Sequence, residues 1–108
     1  MSIGDNNAFF GDGSGENNIA DLNTFIGSGS GNLNTTGNNN AFVGGNSGSM
    51  NTTGRNLTFL GFEAGLNNIN GANNTFGGTS SGHDNTTGDE LTFYGFESGF
   101  SNWSGKLF

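Results

Sequence analysis

Along the chain an apolar residue returns between polar ones at a fixed interval. The phrases "NAFFG", "NTFIG", "NAFVG", "LTFLG", "NTFGG" and "LTFYG" begin at residues 7, 23, 40, 57, 74 and 91, so the interval is 16 residues once and 17 thereafter. Each phrase is rich in aromatic and β-branched residues and stops at Gly, which marks a short strand between turns. Side chains alternate faces along a strand. The third letter, Phe every time (Phe9, Phe25, Phe42, Phe59, Phe76, Phe93), therefore faces one way, and the fourth (Phe10, Ile26, Val43, Leu60, Gly77, Tyr94) faces the other. Helix is excluded by 22 Gly at roughly 1 kcal/mol each relative to Ala.

Other columns are as constant when each unit is counted from the residue two before its Phe. The fifth position is Gly (Gly11, Gly27, Gly44, Gly61, Gly78, Gly95), and the eighth is small (Ser14, Ser30, Ser47, Ala64, Ser81, Ser98). The ninth is Gly again, the twelfth is Asn (Asn18, Asn34, Asn51, Asn68, Asn85, Asn102), and a further Gly closes the unit at Gly37, Gly54, Gly71, Gly88 and Gly105. Seventeen residues accommodate two short strands and two Gly/Asn corners. The pattern predicts an all-β fold, a β-solenoid or β-roll with one coil per unit, coils stacking at the strand spacing of about 4.8 Å.

Residues 1–108 form a single repeat domain on this reading: a partial coil 1–6, then coils 7–22, 23–39, 40–56, 57–73, 74–90 and 91–107. Phe makes an inward core ladder, the small eighth residue lets the opposite wall approach, and Asn at twelve bonds its neighbours up and down the stack. Gly at five, nine and fifteen supplies corners that need positive φ or close backbone approach. The first unit has "NNIADL" where others have "NTTGNN", which predicts a distorted or capping coil. Stacked like charges repel. Glu63 and Glu97 share a column two coils apart and Asp89 stacks under Lys106, whereas Asp5 and Asp21 depart from the rule.

With the Phe ladder inside, Phe10, Ile26, Val43, Leu60 and Tyr94 form a second apolar stripe outside. Such a stripe on a soluble rod marks an interface. It predicts a homo-oligomer, most simply three parallel rods about an axis. A wider coil would instead take both stripes inside.

Composition removes other classes. The chain has no Pro, no Cys and 30% hydrophobic residues, too few for a conventional core of this length. Disorder has that composition too, but a disordered chain has no reason to return Phe and Gly to one phase six times. A net charge of −7, with Arg55 and Lys106 the only Lys or Arg, argues against nucleic acid and against an anionic membrane surface. No apolar run approaches ~18 residues, and "MSIGDNNAFF" lacks the basic start and apolar core of a secretory signal.

The phrase "NTFIG..SG..NTTG.N" resembles the 17-residue repeats of bacterial surface proteins and phage tail-fibre proteins. It is more distantly similar to the head repeats of YadA-like trimeric autotransporter adhesins. The Phe-apolar-Gly strands, the Ser/Ala-Gly corners and the "NTTG" corners at Asn34, Asn51 and Asn85 carry the likeness in all six units. The resemblance implies a trimeric left-handed β-roll in an extracellular setting, at a cell surface or on a virion fibre. A membrane anchor, a coiled-coil stalk and a C-terminal chaperone module have no counterpart in these residues, so the expectation is a piece of a longer fibre or a short self-assembling subunit.

Candidate chemistry is sparse. His83, the sole His, reads as a solvated corner residue, and no Ser/His/Asp arrangement stands out. Glu63 and Glu97 on one face bring to mind the carboxylate pair of an inverting glycosidase, and the Asp/Gly content a calcium solenoid, but the acids scatter in phase. No catalytic residue, metal ligand or cofactor site is assigned. Sequons begin at Asn34, Asn51, Asn56, Asn85 and Asn102, and corner chemistry explains them without sugar. The last unit gathers Phe93, Tyr94, Phe96, Phe100, Trp103 and Phe108. Of these, Phe96, Phe100, Trp103 and Phe108 suit a hydrophobic cap, a contact face for the next subunit, or a platform for a sugar.

The expected function is non-enzymatic: a rigid extracellular fibre segment for surface attachment or receptor binding, partnered by itself and by a cell-surface glycan or receptor. The alternative is a subunit of a homopolymeric filament. A lesser one is ice binding, weakened because the Thr column at 35, 52 and 86 is interrupted by Ile69 and Trp103.

Overall fold

The computed structural model describes residues 4–103. Six three-residue strands, β1 (Ala8–Phe10), β2 (Thr24–Ile26), β3 (Ala41–Val43), β4 (Thr58–Leu60), β5 (Thr75–Gly77) and β6 (Thr92–Tyr94), form one parallel sheet in chain order. The register steps by one unit at every pair: Phe25 lies beside Phe42, and Phe42 beside Phe59. Each connection thus runs once around a coil and returns beside its own start. The result is a β-solenoid rod with Cα extents of 39 × 20 × 16 Å.

One strand per coil, not two, is the first correction. After the strand the chain passes through left-handed residues at the seventh and seventeenth positions, such as Asn46, Glu63 and Ser80, then Asn39, Asn56, Asn73 and Glu90. Isolated left-handed residues break an extended segment. Coil-to-coil bonding continues around the irregular wall nonetheless: Gly31 N–H donates to Ser47 O at 3.0 Å, Leu33 to Ser49 at 3.1 Å and Thr35 to Thr52 at 3.0 Å. Backbone groups are thereby satisfied without a second strand.

Inside the coil the Phe rings form a continuous stack. Centroids of successive rings are 4.8 to 5.1 Å apart and their planes lie within 18° of parallel. The spacing equals the strand separation and falls in the favourable range for offset rings. Each ring rests on the ninth-position Gly of its own coil: a Cβ at Gly48, where φ is +59°, would lie 2.4 Å from the Phe42 ring. Only Gly fits there.

Buried Ser30, Ser47 and Ser81 do more than allow close approach. Their hydroxyls, and that of half-buried Ser14, donate to the Phe carbonyl of the following coil at 3.0 to 3.2 Å. The first coil is shortened between its Asn and its next corner. Asn18 donates to Ala20 O two residues on, where Asn34 reaches Gly37 O three residues on.

Candidate functional site

The inner Asn columns of the rod are hydrogen-bonded from coil to coil. At the twelfth position each amide Nδ2 donates to the Oδ1 of the coil before: Asn34 to Asn18 and Asn51 to Asn34 at 2.7 Å, Asn68 to Asn51 at 2.8 Å, Asn85 to Asn68 at 3.0 Å. The ladder ends there. Asn85 Oδ1 is the one buried side-chain atom among the described residues with no partner, so Asn102, expected as the last rung, does not extend it. The sixth coil is less regular in the ring stack as well, where Phe76 and Phe93 are 18° from parallel.

A second Asn column was not legible beforehand. At the first position Asn23 and Asn40 accept the backbone N–H of Asn40 and Leu57 at 3.0 Å, and donate to Gly37 O and Gly54 O at 2.9 Å. Asn74 repeats this with Leu91 and Gly88. Leu57 and Leu91 occupy the same column and are buried. That mixture of Asn and Leu hid the column from the sequence. The sequon residues Asn34, Asn51 and Asn85 of the twelfth-position ladder are fully buried and already bonded.

Replacing one rung tests the column. Asn51→Asp removes the donor to Asn34 Oδ1 and to Gly54 O, and buries a carboxylate with no cation beside it. Desolvation raises the folded-state pKa of such a group. The penalty is therefore absent below the unfolded value of about 3.9 and grows as pH rises, reaching several kcal/mol at pH 7. The expected result is a modest loss of Tm at pH 3, where a single carboxyl O–H replaces two amide N–H donors, and a gap that widens to pH 7. A gap independent of pH would show that residue 51 reaches water.

The outer stripe lies where alternation puts it. Ile26, Val43 and Leu60 are each about 40% exposed, and Phe10 and Tyr94 are more open still. Gly77 interrupts the column, and the Tyr94 ring occupies the notch: a Cβ on Gly77 would lie 2.5 Å from it. A coil holding both stripes inside is ruled out.

The aromatic end does not gather as one patch. Phe108 lies outside the described residues, as does Lys106. Phe100 stacks on His83 with centroids 4.4 Å apart and planes within 4°, while Phe96 is exposed. Trp103 instead walls a shallow recess of about 280 Å³ with Met50, Asn67, Ile69, Asp84 and Thr86. His83 is not a solvated corner. Its Nδ1 is 2.7 Å from Asp84 Oδ1 and its Nε2 3.6 Å from Glu63 Oε1, with the side chain 18% exposed. The two carboxylates sit on opposite edges of the ring and do not converge on a point. Among the described residues no cluster of three His, Asp or Glu side chains could hold a metal ion.

Acid placement at the corners is structural. Asp21 Oδ1 accepts the backbone N–H of Asp5, and Asp89 Oδ1 that of Ala72, at 2.7 and 2.8 Å. The Thr column is used inward too: Thr35, Thr52 and Thr86 hydroxyls donate to the carbonyls of Thr52, Ile69 and Trp103. That commits the hydrogens an ice-binding rank would offer.

Comparison with known proteins leaves the chain without a relative to argue from: no family model, no curated protein and no solved structure matches it.

Proposed function

We propose that the chain is a non-enzymatic structural rod, a segment of an extracellular fibre that assembles side by side with copies of itself and offers its flanks for attachment. The observation that carries this is the outer stripe. Phe10, Ile26, Val43, Leu60 and Tyr94 run the length of the sheet, one per coil except at Gly77, on a chain of net charge −7 that places no charge in this column. A rank repeating at the coil spacing is matched along its whole length by another rod of the same pitch, which makes a second copy the natural occupant. Three parallel rods close such a contact about an axis without leaving a stripe exposed.

Val43→Lys tests the reading at the middle of the stripe, where a partly exposed site accepts a long side chain without disturbing the coil. Sedimentation of the wild type at two concentrations is expected to give a compact particle of three chains. The variant is expected to sediment as a single chain while its strand circular dichroism persists. A wild-type chain that stays monomeric at both concentrations would defeat the proposal.

One observation favours an end-to-end filament as the second reading. Among the described residues β1 and β6 each pair on one side only, and the Phe9 ring at the first edge is 36% exposed. An open parallel edge over an uncovered ring invites another copy. Long uniform particles in negative stain, unaffected by Val43→Lys and dispersed by Phe9→Lys, would select this reading.

A further inference from the structure

We infer that the recess under Trp103 is a binding site for one neutral pyranose ring. This names the ligand class for the attachment role proposed above and rests on that role.

The recess lies between two outward columns flanking the inward Asn ladder. Met50, Asn67 and Asp84 are the eleventh residues of three successive coils, and Ile69, Thr86 and Trp103 the thirteenth residues of three coils beginning one later. Alternation about the buried twelfth position leaves a furrow between these columns. Earlier coils hold Asn17 and Leu33 on one side and Ile19, Thr35 and Thr52 on the other. At the sixth coil the thirteenth residue is an indole, which raises one wall.

The chemistry of the walls is divided. Met50, Ile69 and Trp103 give an apolar side, with Trp103 67% exposed and its backbone carbonyl held by the Thr86 hydroxyl at 3.2 Å. Asp84, Asn67 and Thr86 give the polar side. Asp84 Oδ1 faces His83 Nδ1 at 2.7 Å and accepts from Asn67 Nδ2 at 3.4 Å, so the carboxylate is oriented before any ligand arrives and its second oxygen takes part in neither contact. His83 is itself fixed by its stack on Phe100.

A pyranose has an apolar face of C–H groups and an edge of hydroxyls that both donate and accept. Its face suits the indole and its edge suits an acidic oxygen beside an amide. A cationic ligand fits less well. It only donates, and it prefers several aromatic walls where this recess has one. The volume lies just under the ~300 Å³ lower end of ordinary ligand pockets, enough for one ring.

Trp103 is the only Trp in the chain, so its emission reports on this recess alone. The full chain is titrated with a panel of methyl glycosides (glucose, galactose, mannose and N-acetylglucosamine), while sedimentation reads its assembly state in the same samples. At least one glycoside is expected to shift the emission saturably with a roughly millimolar Kd, as befits a single small ring. Asp84→Asn is expected to weaken it at least tenfold. Trp103→Ala is expected to abolish saturation transfer to the sugar protons in NMR, with strand circular dichroism retained. No saturable response to any glycoside overturns the inference, as does a response to tetramethylammonium alone, or binding that survives Trp103→Ala. Assembly without sugar binding would sink the recess and leave the rod, whereas sugar binding by a monomer would do the reverse.

Discussion

Phe42→Ala is expected to remove about 3–5 kcal/mol of stability, as for a buried aromatic truncated in a site that cannot collapse. Phe42 is fully buried, stacked on Phe25 at 4.8 Å and on Phe59 at 4.9 Å, and its ring covers Gly48. Removing it breaks two ring contacts and opens a void. Coil-to-coil hydrogen bonds tie each wall to the coils above and below, so it resists closing on that void. In a one-dimensional array the coils on either side of the defect are also uncoupled. Against a total of roughly 5–15 kcal/mol, one such substitution approaches unfolding. Phe9→Ala is the contrast, since Phe9 has one ring neighbour and is 36% exposed, and it should cost less than half as much. Urea titration at one fixed protein concentration, followed by circular dichroism, reads both. Equal losses at the two positions would mean that the ring stack is not the core.

Gly44→Ala is expected to be worse than Gly95→Ala by more than any propensity difference. At Gly44, φ is +135° and a Cβ would stand 2.5 Å from the Gly61 carbonyl carbon and oxygen. Those atoms belong to the backbone of the next coil and have no rotamer by which to retreat. At Gly95, φ is +119° but the nearest atom to the added Cβ, among the described residues, is Ser98 Cβ at 4.0 Å. Gly95→Ala therefore carries backbone strain of order 1–3 kcal/mol. Gly44→Ala adds the displacement of a whole coil and should exceed roughly 4 kcal/mol, a loss found only with a steric or burial mechanism of this kind. Soluble yield and thermal melting of the two variants measure the difference. Similar melting temperatures would show that the coils can separate locally at little cost.

Conformity and departure carry different information in this chain. Residues that obey the repeat, such as the Phe rings, the ninth Gly and the Asn ladder, are spent on holding coils together. Residues that break it divide: Leu57 and Leu91 replace Asn inside and join the core, whereas others break it at the surface. Trp103 in a column of Thr and Ile, and Asp84 in a column of Asn, Leu, Met and Ser, are two surface breaks, and they line the same recess. That signal was present in the letters. It singled out Trp103, but it grouped Trp103 with Phe96 and Phe100, which the coil sends elsewhere.

The sequence by itself determined the period, the parallel stacking, the inward Phe ladder and the outward apolar stripe. A strict repeat leaves little freedom there: identical coils one strand spacing apart must stack identical residues, and alternation divides third from fourth positions. Only the tertiary structure decided that each coil holds one strand, that Asn23, Asn40 and Asn74 form a second column interrupted by Leu57 and Leu91, that the twelfth-position ladder ends at Asn85, and that His83 is clasped by Asp84 and Glu63. Each of these depends on the cross-section of the coil. The cross-section sets which residues 14 to 20 apart along the chain meet across the furrow or the core, and a period fixes the rise from coil to coil without fixing the path around it.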